Sequence, residues 1–91
     1  MKELRQQTIN VIKKYALPML KIKTINENNI MEIEDIIDCK ISGLVTLVET
    51  DDFSNNYANT LLLEQLDNAS DEIHENTNID YEHLNHCLQL D

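Results

Sequence analysis

Apolar and polar positions follow a helical period through most of this chain. In "KELRQQTINVIKKYALPMLKIK", residues 2–23, Leu4, Thr8, Val11, Ile12, Tyr15, Met19 and Ile22 share one arc of ~100° at helical pitch. Lys13, Lys14 and Lys21 fall opposite. The pattern predicts an amphipathic helix with a basic outer face. Pro18 sits inside it, and proline removes a backbone donor and crowds the preceding turn. The segment is therefore one kinked helix or two short ones breaking near Leu17.

The polar connector "TINENN" follows, with Asn28 or Asn29 placed to cap the next helix. That helix, "IMEIEDIIDCKISGLVTLVE", has the longest apolar pattern. Ile33, Ile36, Ile37, Ile41, Leu44, Leu47 and Val48 cover roughly half of its circumference. So wide a face predicts a central helix touched by more than one neighbour. A β-hairpin near residues 20–34 is the rival, because "LKIKTI" and "IMEIE" alternate and isoleucine suits strands. The unbroken helical phase from Ile33 to Val48 favours the helix.

After "ETDDFS", where Asp52 or Ser54 is the expected cap, "NNYANTLLLEQLDNASDEIHE" places Ala58, Leu62, Leu66, Ala69 and Ile73 on one stripe. "NTNI" ends that helix. Asp80 then caps a short last one, "YEHLNHCLQL", with Tyr81, Leu84 and Leu88 inward. The expected fold is an all-α bundle of three long helices plus a short C-terminal helix. Its alternative is an α+β fold containing the hairpin. A single acidic helical domain over residues 1–91 is expected from the length. One Gly and one Pro are too few punctuators for an all-β chain.

Charge changes the picture. The net charge is −10, and the signs are segregated. Residues 1–24 hold six cationic side chains and one acid, whereas residues 25–91 hold Lys40 alone against sixteen acids. Such a body repels nucleic acid and attracts basic surfaces. Two acidic ridges are expected: Glu34, Asp35 and Asp38 on the second helix, and Glu64, Asp67 and Asp71 on the third, with Glu72 and Glu75 beyond. Tyr57 and Leu61, one turn apart and beside the second ridge, are expected to face outward as a small contact patch with an electrostatic rim.

Candidate chemistry is sparse. His83, His86 and Cys87 cluster in the last helix, but both histidines project away from its apolar side, and zinc needs three or four converging ligands. A thiolate nucleophile needs an electropositive setting, and Cys87 has acids around it. No glycine-rich phosphate loop occurs, and "DDFSNN" lacks the glycine and closing glutamate of a calcium loop. No catalytic residue, metal or cofactor is expected. Two cysteines without a secretory segment suggest reduced thiols and the cytoplasm. No apolar run reaches 18 residues, so no membrane span is expected, and an acidic body with few aromatics for stacking argues against direct nucleic-acid binding.

These observations rank three functions. The first is a non-catalytic acidic protein that inhibits a basic, nucleic-acid-handling partner such as a nuclease by charge-complementary occlusion. Small toxin-neutralising immunity proteins and phage anti-defence inhibitors share that regime of charge and size. The second is a self-associating structural or adaptor module, with a homodimer as its simplest form. The third is a minor metal or thiol enzyme built on His83, His86 and Cys87. No motif is specific enough to name a family.

Overall fold

A computed structural model describes residues 1–50, 53–75 and 78–90. The fold is an all-helical bundle. Helix α1, Gln6–Val11, runs without a break into a π-helical turn, Ile12–Ala16, and a 3₁₀ turn, Leu17–Met19. Three further helices follow: α2 at Ile30–Thr50, α3 at Phe53–Glu75 and α4 at Tyr81–Cys87. The rival hairpin is not formed: residues 20–34 contain no strand. Among the described residues the β-bridge between Lys2 and Ile79 stands outside any strand.

The first helix is kinked, as Pro18 requires, but the distortion begins earlier. In the π turn each backbone bond spans five residues, so a turn takes more chain than 3.6 residues. Ile12 and Ala16 stay buried. Met19, expected on the same stripe, falls out of phase and is 73% exposed. Leu20 then turns extended (φ −122°, ψ 140°) and ends the element.

The polar connector is ordered by its own amides. Asn26 Oδ1 accepts from the Asn28 N–H at 2.8 Å, and Asn29 Oδ1 reaches back to the Asn26 N–H at 2.8 Å. The reciprocal bonding resembles a capping box centred on Asn26, one turn before the expected cap at Asn28 or Asn29. Asn29 Nδ2 also donates to the Thr24 carbonyl at 2.8 Å. The side chain of Asn29 is thereby turned away from the first turn of α2.

The core sits at one end of the α2–α3 pair. Ile12, Ile25, Ile33, Ile37, Leu66 and Leu84 are its largest fully enclosed members. Helix α1 packs on α3, and the π turn packs on α2. Helix α4 begins as expected, with Asp80 Oδ1 accepting from the His83 N–H at 3.1 Å. It ends in a Schellman motif: Gln89, at φ 60°, donates to the His86 carbonyl, and Leu90 donates to the Asn85 carbonyl. The chain start is held against this end by Lys2, whose N–H donates to Asn78 O at 2.8 Å and whose carbonyl accepts from Asp80 N at 2.9 Å.

Asn85 is the polar centre of that end. It is buried, its Oδ1 accepts from the Ile25 N–H at 2.7 Å, and its Nδ2 donates to the Ile25 carbonyl at 2.9 Å. One side chain thus satisfies both backbone groups of a buried isoleucine.

The other end differs. Between Val45 and Gln65 no described side chain is buried. Leu47 is 48% exposed and Ala58 is exposed, although both were expected on inward stripes. Leu62 and Leu63 still pack against the core and Gln65 borders α1, but among the described residues none from 45–49 or 57–61 joins that core, so α2 and α3 continue beyond it as a two-helix arm. A Cβ built on Gly43, on α2 just before the arm, meets nothing within 4 Å. Of the expected caps at the arm's turn, Asp52 lies outside the described residues, and Ser54 falls within α3 rather than before it.

Two stability predictions follow from this layout. Asn85→Ala leaves the Ile25 N–H and carbonyl buried without partners, a loss of about 2–4 kcal/mol. Thermal denaturation followed by circular dichroism would then show Tm lowered by about 10–25 °C, and an unchanged Tm would contradict the account. Gly43→Ala should instead stabilise by about 0.5–1 kcal/mol, because helix propensity improves and the new methyl has free space. Urea unfolding resolves a change of that size.

Candidate interaction surfaces

Four surface regions combine residues capable of recognition. The first is the acidic side of α2 and α3. These helices run antiparallel in a register set by two polar contacts, His74 Nδ1 with Glu34 Oε1 at 3.1 Å and Ser70 Oγ donating to Asp38 Oδ1 at 2.7 Å. Glu34 is consequently buried between the helices, not part of an open ridge. Its position on α2 faces α3, and His74 arrives opposite it. Asp38 stays exposed while accepting from Ser70. Asp35 is also exposed but turns towards the first helix.

Glu72 likewise leaves the second ridge. Its side chain is 9% exposed, and its Oε2 pairs with Arg5 Nε at 3.3 Å. Its Oε1 accepts from the Arg5 N–H at 3.1 Å. Arg5 is the residue at the N-terminus of α1, where a carboxylate also meets the positive end of the helix dipole. Lys2 and Arg5 line the same shallow surface as Asp71 and Glu75. The basic chain start therefore borders the lower part of the α3 ridge and draws in Glu72 alone. Glu64, Asp67, Asp71 and Glu75 remain exposed.

The second region is the arm. Tyr57 is 76% exposed and Leu61 is 43% exposed, so both face outward as expected. At helical pitch Tyr57, Leu61 and Glu64 form one stripe, opposite the buried Leu66, Ala69 and Ile73. Residues 45–65 contain Glu49, Asp51, Asp52 and Glu64 but no cation. The arm is thus purely acidic, whereas the base carries both signs.

The third region is a groove of about 630 Å³ between the π and 3₁₀ turns and α2. Tyr15, Pro18, Met19 and Ile36 give it an apolar lining, and Cys39 and Asp35 stand at its edge. Two ammonium groups approach the same ring there. Lys14 Nζ lies 5.4 Å and Lys40 Nζ lies 5.7 Å from the centroid of Tyr15. Sequence reasoning missed this groove. The available signal was Lys40, the lone cation after Lys23.

The fourth region holds the histidines of α4. His83 Nε2 lies 3.4 Å from Cys87 Sγ, and His83 Nδ1 lies 3.9 Å from Glu3 Oε1. His86 is exposed, and His74 belongs to the contact with Glu34. Among the described residues no group of three His, Cys, Asp or Glu side chains is placed to hold a metal ion. Cys39 and Cys87 are free thiols. The Tyr81 phenol is raised above its ordinary pKa, first by burial and then by the carboxylate of Glu27.

Comparison with protein-family models, with curated proteins and with solved structures finds no match for this chain. Among the described residues no helix is long and apolar enough to cross a membrane.

The inward turn of Glu72 predicts an unequal pair of variants. Arg5→Ala removes one exposed partner and leaves the backbone N–H of residue 5 on the carboxylate. Glu72→Ala removes the acceptor of both contacts. Glu72→Ala should be the more destabilising of the two by about 1 kcal/mol, read from paired urea denaturation curves. Equal losses would place the energy in the side-chain ion pair alone.

Proposed function

We propose that this protein acts without catalysis, by binding another protein through its α2–α3 arm. The observation that carries the reading is the exposed Tyr57–Leu61 pair on a length of α3 with no buried side chain among the described residues. An aromatic and an aliphatic anchor one turn apart, beside carboxylates, make a compact contact patch with an electrostatic rim. The rim carboxylates are Glu64 and Asp67, with Asp71 nearer the base.

The partner that complements this surface has an apolar cleft bordered by basic side chains. Nucleases and other nucleic-acid-handling proteins present such clefts to phosphate, and an acidic occupant excludes the nucleic acid by competition. Net charge speeds the encounter, and the apolar pair sets the residence time. The two free thiols suit a reducing, cytoplasmic setting.

Neutralising the rim tests this. Glu64→Gln, Asp67→Asn and Asp71→Asn together should weaken capture of a basic partner from native lysate by about tenfold or more at low salt. The salt dependence of what remains should flatten. Wild-type capture should yield one basic, nucleic-acid-handling protein that is lost as salt rises. Unchanged affinity in the neutralised variant would overturn the charge-complementary reading.

A further inference from the structure

We infer that the basic groove of one copy accepts the arm of a second copy, head to tail. The inference rests on the reading of the arm as the binding element, and it names an occupant for a surface that reading leaves empty.

The two surfaces are complementary in chemistry. The groove has an apolar floor of Tyr15, Pro18 and Ile36; Lys14 and Lys40 outnumber the one carboxylate that lines it, Asp35, and leave it with a net positive charge. The arm presents Tyr57, Leu61 and Glu64 on one stripe of α3, at the i, i+4 and i+7 spacing by which helices seat in grooves. A carboxylate at the i+7 position meets the lysine pair when the apolar pair enters the floor. In that pair Lys14 belongs to the basic first segment and Lys40 is the lone lysine or arginine after it, the exceptions in a chain of net charge −10 whose acidic body repels a second copy. Two ammonium groups brought to one ring repel each other, and an incoming carboxylate relieves that repulsion.

Groove and arm occupy different parts of one chain. The groove uses Asp35 to Lys40 of α2, whereas the arm begins beyond Leu44. The contact is therefore heterologous, and it propagates into a chain or a ring instead of closing as a twofold dimer. It also covers the surface that an outside partner needs. Self-assembly and partner binding are then mutually exclusive, and dilution or a tighter partner frees the arm.

Two variants separate the surfaces. Lys14→Glu with Lys40→Glu disables the groove and keeps the arm. Tyr57→Ala with Leu61→Ala disables the arm and keeps the groove. Apart from the half-exposed Leu61, these side chains are largely in solvent, and unchanged circular dichroism and Tm serve as the check on folding. In sedimentation velocity the wild type should show a mass that rises steadily with protein concentration and falls with salt. Each variant alone should stay monomeric over the same range. Their equimolar mixture should form a 1:1 pair that grows no further, because one chain lacks the groove and the other lacks the arm. A wild type that stays monomeric, a single variant that still dimerises, or a mixture that stays monomeric would each overturn the head-to-tail contact. The outside-partner reading is scored separately, by capture from lysate. If the groove variant retains the basic partner and the arm variant loses it, that reading stands whatever the sedimentation shows. If the arm variant retains it, that reading falls.

Discussion

The structure depends on a mismatch of length. The first helical element runs from Gln6 to Met19, whereas α2 holds 21 residues and α3 holds 23. At 1.5 Å per residue α2 and α3 extend for about 31–35 Å, and the first element covers about two-thirds of that at most. Its π turn and Pro18 shorten the reach further by throwing Met19 outward. Wherever the third element is present, α2 and α3 bury isoleucine and leucine. Where it is missing, the same pair exposes Leu47, Tyr57 and Leu61. The groove and the arm are both products of that early stop. One is the flank of the short element, and the other is the part it does not reach.

Polar and apolar groups consequently exchange their usual places. The base of the bundle buries an amide, Asn85, and encloses two carboxylates, Glu34 and Glu72, while the arm leaves large apolar side chains in water. Each enclosed polar group has a partner, which is the condition for burial without a large penalty. Their gain is specificity of arrangement. Glu34 with His74 and Asp38 with Ser70 select one register of α2 against α3. Asn85 fixes the connector, and Glu72 fixes the start of α1. An apolar interface alone would tolerate sliding by a turn, and the wide stripe of α2 invites it.

Much of this was legible from periodicity. The span of α2, the inward stripe of Leu66, Ala69 and Ile73, the Asp80 cap and the outward Tyr57–Leu61 pair all follow from 3.6-residue spacing and cap chemistry. The failures have physical causes. Met19 leaves the inward stripe because a π turn breaks the uniform pitch that a wheel assumes. Leu47 and Ala58 lie on apolar stripes yet face solvent, because periodicity shows which face is apolar but not whether anything covers it. Glu34 and Glu72 leave the ridges because a wheel treats a helix alone, whereas His74 and Arg5 come from elements about 40 and 67 residues away in sequence. The groove escaped for the same reason, since Lys14 and Lys40 meet only across a tertiary contact.

Most of the charged groups lie on the base and the exposed contact area lies on the arm, and this division assigns them different tasks. The base carries most of the acids, and the arm carries the exposed aromatic and aliphatic groups. Charges at a distance from the contact act chiefly on encounter, through a field that salt screens within a Debye length of about 8–10 Å. Desolvated side chains at the contact act chiefly on dissociation. Residues on the two parts should therefore affect different rate constants even when they change affinity alike. Glu64 stands at the boundary, on the stripe of Tyr57 and Leu61 yet continuous with Asp67 and Asp71. It is the one rim carboxylate close enough to both to enter the contact itself, so its influence extends from encounter to dissociation.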